Sequence, residues 1–364
     1  MKHGNNGNPV SEIGPATALR LQSGGAVLID IRGPEELIDG TPMGAVNIPV
    51  ERLVADGGGQ HSELVLICAT GRRSLEVAAT LCTDPHARVY SVAGGYEAWR
   101  HAGLPVDRTG LLDEISTDRY RRQLVLPGVG IAGQRKLQAG SVLVIGAGGL
   151  GSPVLTYLAA AGVGRLGIVD DDRVDRSNLQ RQIIHRDDRL GVLKTESARL
   201  TLAAINPDIQ IEIHSERVTE ANVGTLLADY GVIVDGSDNL ATRYLLNEHC
   251  VAMGLPLVYG AVLRYEGQVS VFWPGRDHGP CYQCLFPDRD CDMEAPSCAE
   301  AGVLGVTPAV VGSLQATEVI KILLETGTLL TGRLLSYDAL KASFRETRIP
   351  ADPSCIICSA STPS

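Results

Sequence analysis

Residues 141–151, SVLVIGAGGLG, run from an unbroken apolar strand into a glycine turn, and SPVLTYLAAAG (152–162) followed by RLGIVD (165–170) completes a strand, turn, helix, strand unit. Gly146, Gly148 and Gly151 keep the G-x-G-x-x-G spacing. One glycine makes the tight turn, one lets the backbone approach a phosphate, and one lets the helix pack close. Asp170 stands at the tip of the second strand, 19 residues beyond Gly151, where a carboxylate can hold ribose hydroxyls. The stretch predicts a nucleotide-binding α/β fold and leaves the nucleotide open.

The residues that follow narrow the choice. They are DDDRVDRSNLQRQIIH (170–185), Lys194 in LGVLKTESA, and DGSDN (235–239) at the end of the apolar run YGVIV. A nicotinamide site has no need of an arginine, a lysine and a further aspartate around its phosphates. A nucleoside triphosphate does: Arg181 and Lys194 can neutralise phosphate oxygens, Asp238 can hold Mg2+ at a strand's carboxyl end, and Asn178 can bond ribose or phosphate.

Cys281 and Cys284 (CYQC) and Cys355 and Cys358 (CIIC) form two C-x-x-C pairs separated by a long insert. Four thiolates make a closed tetrahedral zinc site, which would dock the Pro/Ser-rich C-terminal tail; a redox pair is the competing reading. The chain has nine cysteines, an odd number, which suits metal ligands and reactive thiols better than a disulfide framework. Cys298, in APSCAEAGVLG, is either a covalent participant or a plain exposed thiol. Cys82, Cys250 and Cys291 have no supporting neighbours in the sequence and read as small packing residues.

Length and composition set the frame. The 364 residues suit two domains, and 44% hydrophobic with 20% charged residues suits globular α/β structure. A net charge of −10 argues against a general nucleic-acid surface. The polar start MKHGNNGNP and the lack of a long apolar run predict a cytoplasmic protein with no membrane span.

Upstream, residues 10–106 alternate apolar runs (AVLIDI, LVLIC, RVYSV) with amphipathic stretches, a small parallel α/β unit. Residues 107–115 read as a linker, and the second domain as 116–359. Within the first unit CATGRRS (68–74) carries a thiol from a buried strand into a loop that opens a helix. Backbone N–H groups and the helix dipole there favour an anion, so Cys68 should be a nucleophile.

From about Ser116 to Cys358 the chain resembles the ubiquitin-activating-enzyme-like adenylyltransferases typified by MoeB and ThiF. The resemblance rests on RYRRQL (119–124), GAGGLGSP, VDDDRVDRSNLQRQ, GVLKTESA, DGSDNLATRYLLN, CYQCLF and GSLQATEVIK. It implies a Rossmann-like domain with structural zinc on Cys281, Cys284, Cys355 and Cys358. It further implies a homodimer that binds MgATP and adenylates the C-terminal glycine of a ubiquitin-fold carrier, releasing pyrophosphate. Gly149, Asp170, Asp172, Asn178, Arg181, Lys194, Asp238 and Asn239 would line the ATP site, and Arg122 would reach into the partner subunit's site.

Residues 10–106 resemble a rhodanese domain, on VLIDIRGPEE, GAVNIP, LICATGRRS and VAGGYEAWRHAGLPV. Four residues separate Cys68 from Arg73, one fewer than in the phosphatase loop, so the cradle fits a sulfane sulfur and Cys68 would carry a persulfide. Arg72 and Arg73 would stabilise its charge, and Asp30 with Arg32 would brace the fold. The histidine usual before GAVNIP is missing, the segment reading DGTPM.

Joined, the two resemblances imply that a Cys68 persulfide attacks the carrier's acyl-adenylate to give a C-terminal thiocarboxylate, with Cys298 a candidate second thiol. The chain ends STPS. The carrier, a MoaD- or ThiS-like protein ending in Gly-Gly, would therefore act in trans, and a cysteine desulfurase or thiosulfate would supply sulfur. Such carriers serve molybdopterin, thiazole, tRNA thiolation or secondary metabolism. Rhodanese domains usually follow the adenylyltransferase in such fusions; here one comes first, which leaves open transfer within or between subunits. The alternatives are an NAD-dependent oxidoreductase with a regulatory rhodanese module and a zinc-stabilised scaffold that presents a carrier.

Overall fold

The glycine turn at 146–151 lies where a sheet changes direction. A computed structural model describes residues 10–55, 63–81, 88–276, 279–287 and 302–359, and its contacts divide the chain between Gln134 and Arg135.

The first unit contains β1 (Ser11–Ile13), α1 (Pro15–Ser23), β2 (Val27–Asp30), β3 (Thr41–Pro42), β4 (Val46–Asn47), α2 (Val50–Ala55), β5 (Glu63–Ile67), α3 (Arg72–Leu81), β6 (Arg88–Val92), α4 (Gly95–His101), β7 (Val106–Asp107) and α5 (Glu114–Leu124). Its main sheet runs β1-β6-β5-β2-β4, all parallel. Parallel strands are covered on both faces, so they read as continuous apolar runs. Alternate residues divide between the faces: Leu64, Leu66 and Cys68 join one core cluster, Val65 and Ile67 the other, with Trp99.

The division at Gln134 departs from the expected linker at 107–115. Thr41 and Pro42 of β3 pair with Asp107 and Val106 of β7. Helix α5, capped by Asp113 accepting from Ser116 N at 2.8 Å, clusters its Tyr120 and Leu124 with Ile38, Leu112 and Ile131. The apolar face of α5 finds its partners in the first unit, and the sequence alone did not say which unit would supply them.

The second unit opens with α6 (Gly130–Ala139), which straddles the division. It continues with β8 (Ser141–Ile145), α7 (Gly151–Ala161), β9 (Arg165–Val169), α8 (Lys194–Ile205), β10 (Gln210–His214), α9 (Val223–Leu227), β11 (Val232–Asp235), α10 (Leu240–Met253), β12 (Leu257–Leu263), β13 (Glu266–Phe272), α11 (Tyr282–Leu285), α12 (Val306–Leu324), β14 (Arg333–Asp338) and β15 (Ser343–Arg348). The sheet runs β10-β9-β8-β11-β12-β13-β14-β15. It is parallel through β12 and antiparallel beyond. From β8 the chain goes to β9 on one side and later returns to β11 on the other. A ligand crevice opens at such a switch point, outside the carboxyl ends of β8 and β11.

Helix α12, 19 residues, is long and apolar enough to cross a membrane by length and composition. The sequence reading anticipated no such stretch. Here α12 packs on α7, β12 and β13, and its apolar residues Val311, Ala316 and Val319 are buried, as in the central helix of a packed domain.

Candidate active site

Cys68 leaves the end of β5 with its side chain 1% exposed. Its Sγ accepts from Gly71 N at 3.2 Å, Ser74 N at 3.3 Å and Ser74 Oγ at 3.4 Å. The loop is locked against the start of α4: Tyr96 N donates to Cys68 O at 2.8 Å and Glu97 N to Ala69 O at 3.1 Å. That approach needs Gly95, whose added Cβ would lie 2.3 Å from Cys68 O. Gly71 takes φ +86°, which only glycine adopts without strain.

Neither arginine of the loop is hydrogen-bonded to the sulfur. Arg73 pairs with Glu36, whose Oε2 accepts Gly33 N at 3.0 Å, and Arg72 pairs with Glu76 across 3.5 Å. Burial raises the Glu36 carboxyl, but the Arg73 hydrogen bond and charge and the Gly33 N–H outweigh it and leave Glu36 below its ordinary range. The inward donor Ser74 was not singled out from sequence; its signal is a serine three residues beyond Gly71, on the first turn of α3. Asp30 and Arg32 do brace the domain: Arg32 Nε and Nη2 contact Asp30 at 2.9 and 2.6 Å, and the guanidinium caps Gly40 O at 2.8 Å and the Tyr96 ring at 3.7 Å.

In the second unit the turn is shaped by backbone proximity. A Cβ on Gly151 would sit 1.9 Å from Gly146 O, and one on Gly146, at φ +94°, would sit 2.7 Å from Gly236 O. At Gly148 the nearest atom is Gln182 Nε2, 3.6 Å away, and at Gly149 it is Pro308 Cβ, 3.2 Å away. The first two glycines close the turn; Gly148 keeps a face clear for a ligand.

Both sides of Ala147 are gripped. Asp170 Oδ2 accepts its N–H at 2.8 Å, and His185 Nε2 bonds its carbonyl at 2.9 Å while Nδ1 meets Ser197 Oγ at 3.0 Å. Burial pushes His185 down to about 4, so its ring is neutral, and burial raises Asp170, opposed by the Lys194 charge. Lys194, first residue of α8, donates to Asp172 Oδ2 at 2.7 Å. Asn178 Oδ1 accepts from Gln182 Nε2 at 2.7 Å, and Arg181 Nη1 donates to Ser177 O at 3.2 Å. Across the crevice Asp238 is exposed on the loop after β11, whereas the side chain of Asn239 accepts Thr242 N at 2.9 Å as the cap of α10.

Beneath that loop lies a buried ionic network that sequence reasoning missed. Asp235 accepts from Ser237 N at 2.9 Å and Ser237 Oγ at 2.6 Å; Arg243 lies 3.6 Å from Asp235 Oδ2 and donates to Ser237 O at 3.0 Å. Gln315 Nε2 holds Asp235 O at 2.8 Å. The loop bearing Asp238 is therefore pinned from below.

The four cysteines converge. Their sulfurs stand 3.9 Å apart for Cys281 and Cys284, 3.6 Å for Cys281 and Cys355, and 3.4 Å for Cys284 and Cys358. Tetrahedral thiolates at a Zn–S distance of about 2.3 Å would be about 3.8 Å apart. Burial pushes the Cys281 thiol up to about 11 and raises Cys358, so a cation is what would make four adjacent thiolates tolerable. Asp352 N also donates to Cys284 Sγ at 3.4 Å. Asp170, Asp171 and Asp172 form an acidic group at the crevice.

Arg122 is exposed on the last turn of α5, in the first unit. Cys250 is buried in α10, where burial raises its thiol out of the reactive range. Cys82, Cys291 and Cys298 lie outside the described residues.

Comparison with known proteins agrees with both halves. Residues 120–357 match the model of the ThiF family and residues 15–102 that of the rhodanese-like domain. The chain is 51% identical over 244 residues to a sulfur carrier protein adenylyltransferase of Thermus thermophilus, covering 66% of this chain and 90% of that protein. It is 48% identical over 251 residues to the probable adenylyltransferase/sulfurtransferase MoeZ of Mycobacterium tuberculosis, covering 68% of this chain and 64% of that longer protein. Among solved structures, E. coli MccB with ATP superposes with a TM-score of 0.60 at 18% identity, over 73% of this chain and 86% of that one, a likeness of fold. The chain belongs to the ThiF family and carries a rhodanese-like domain ahead of its ThiF region.

Proposed function

We propose that this enzyme adenylates the C-terminal glycine of a ubiquitin-fold sulfur carrier with ATP and then transfers sulfur to it from Cys68. The observation that carries the reading is that one chain holds both a phosphate-accessible glycine turn flanked by Lys194 and Arg181 and a buried cysteine whose sulfur receives three hydrogen bonds. The names of its relatives, a sulfur carrier protein adenylyltransferase and an adenylyltransferase/sulfurtransferase, support it. Asn239, committed to capping α10, contributes to the ATP site through the loop it fixes.

A carboxylate approaching the α-phosphate meets like-charge repulsion, which Lys194 and Arg181 would offset. Asp170 would hold the ribose, and Asp238 would hold Mg2+, which when bound neutralises phosphate charge. Arg122 would act in the partner subunit of a homodimer. Cys281, Cys284, Cys355 and Cys358 would hold Zn2+, which when bound ties the C-terminal segment to α11. The reading puts the enzyme in the cytoplasm, where thiols stay reduced.

The terminal sulfur of the Cys68 persulfide attacks the acyl-adenylate carbonyl and expels AMP, leaving an acyl disulfide. A second thiol, for which Cys298 is a candidate, attacks Cys68 Sγ and releases the thiocarboxylate. The resulting disulfide needs an external thiol reductant, and a desulfurase or thiosulfate recharges Cys68.

Carrier-dependent exchange of labelled pyrophosphate into ATP tests the first half. Cys68→Ala should retain exchange and abolish the carrier's gain of about 16 Da that an oxygen-to-sulfur replacement brings. Normal thiocarboxylation by that variant would sink the coupled mechanism.

A further inference from the structure

We propose that Ser74 and Ser91 form a buried hydroxyl relay that positions Cys68 from inside the fold, Ser74 donating to its sulfur and Ser91 donating to Ser74. The proposal rests on the reading of Cys68 as the sulfur carrier.

Both serines are fully buried, and their hydroxyl oxygens lie 2.8 Å apart. Their placement follows from the secondary structure. Ser74 lies on the first turn of α3, where its N–H is one of the unpaired donors of a helix start. Ser91 pairs in register with Leu66 on the neighbouring strand, and Leu66 belongs to the same core cluster as Cys68. The side chain of Ser91 is thereby delivered to the underside of the cysteine loop. A serine in a buried strand carries a hydroxyl that must be satisfied, and Ser91 has Ser74 Oγ and, at 3.4 Å, Gly71 O as partners.

Counting protons gives the pair its function. Each hydroxyl donates once. Ser74 Oγ can donate to Cys68 Sγ at 3.4 Å or to Gly71 O at 3.1 Å, and Ser91 can donate to Ser74. With sulfur as an anion, Ser91 donates to Ser74 and Ser74 donates to Sγ, two hydrogen bonds in series that reinforce each other. With sulfur protonated, Ser74 turns to Gly71 O and no heavy atom moves. The Gly71 and Ser74 N–H groups bring the donors on sulfur to three.

The charged groups around the loop are already engaged. Arg73 is paired with Glu36, Arg72 with Glu76, and Arg32 with Asp30, while Tyr96 contacts the loop through its N–H on Cys68 O. Arg73 feels the Cys68 charge at a distance, without a hydrogen bond to the sulfur.

The test uses the full chain and the ultraviolet absorbance of the Cys68 thiolate against pH, with the Cys68→Ala profile subtracted. Ser74→Ala should move the midpoint up by about one pH unit, the shift that loss of one hydrogen bond to an anion produces. Ser91→Ala should move it the same way by less, and Ser74→Thr should restore the parent midpoint. Ser74→Ala and Ser91→Ala variants that melt like the parent and titrate with its midpoint would overturn the proposal. The titration is run on protein reduced to the free Cys68 thiol, so it reads that thiol apart from sulfur transfer, and a Cys68→Ala variant that still makes thiocarboxylate would overturn the carrier reading and leave the titration standing.

Discussion

Lys194 donates to Asp172 across 2.7 Å, although the lysine side chain is 7% exposed and the aspartate side chain 67%. A buried ammonium needs an anionic partner, and an exposed carboxylate is one that an arriving phosphate can replace with a charge-assisted bond of its own. Lys194 is thereby held in the crevice with its charge compensated. Lys194→Met should lower carrier-dependent pyrophosphate exchange by about a hundredfold or more, and Lys194→Arg should retain part of the rate. An unchanged rate for Lys194→Met would remove the lysine from the site.

The glycines of the turn separate structure from ligand binding. Gly151→Ala places a Cβ 1.9 Å from a backbone oxygen, which no side-chain rotation relieves, so this variant should fold poorly or not at all. Gly148→Ala meets nothing nearer than 3.6 Å and should melt with the parent, yet its methyl group occupies the face offered to phosphate. Calorimetric titration with MgATP should show at least a tenfold loss of affinity for Gly148→Ala. Equal affinity would move the phosphates away from this turn.

What was legible in the sequence follows from locality. The glycine turn, its flanking strands and the cysteine loop are short segments whose spacing already fixes their geometry, and the structure has them where the spacing put them. Partnerships across long separations were not legible. The loop spacing reads Arg73 as a stabiliser of the Cys68 charge, and it gives no sign that Glu36, 37 residues upstream, holds the guanidinium. That the carboxamide oxygen of Asn239 caps α10 by accepting Thr242 N is a contact its place after DGSD does not announce. Ser91 carried no local signal; it matters only because β6 lies beside β5.

The four-sulfur cluster predicts a measurable metal dependence. Cys281 and Cys355 are 74 residues apart, and a cross-link closing a loop of that length is worth on the order of 4 kcal/mol, about 10 °C in Tm for a domain of this size. Protein purified with zinc should carry one ion per chain by elemental analysis. Cys358→Ser should lose it and melt about 10 °C lower. A metal-free parent protein with the same Tm as the loaded one would make the cluster a set of buried thiols.

His185 ties folding to pH near the nucleotide turn. Its ring bonds Ala147 O and Ser197 Oγ, and burial lowers it from an ordinary 6.5 to about 4. Between those two values the unfolded chain binds a proton at this residue that the folded chain refuses. Stability from this group is therefore fully present above about pH 6.5, falls as pH drops, and is spent by about pH 4, a total on the order of 3 kcal/mol. Urea midpoints measured at pH 8 and pH 5 should differ more for the parent than for His185→Gln, which keeps a polar side chain without the titration. The variant should be the less stable protein at pH 8 and should lose less on acidification. Identical pH dependence in the two proteins would mean that other groups carry the acid sensitivity of this domain.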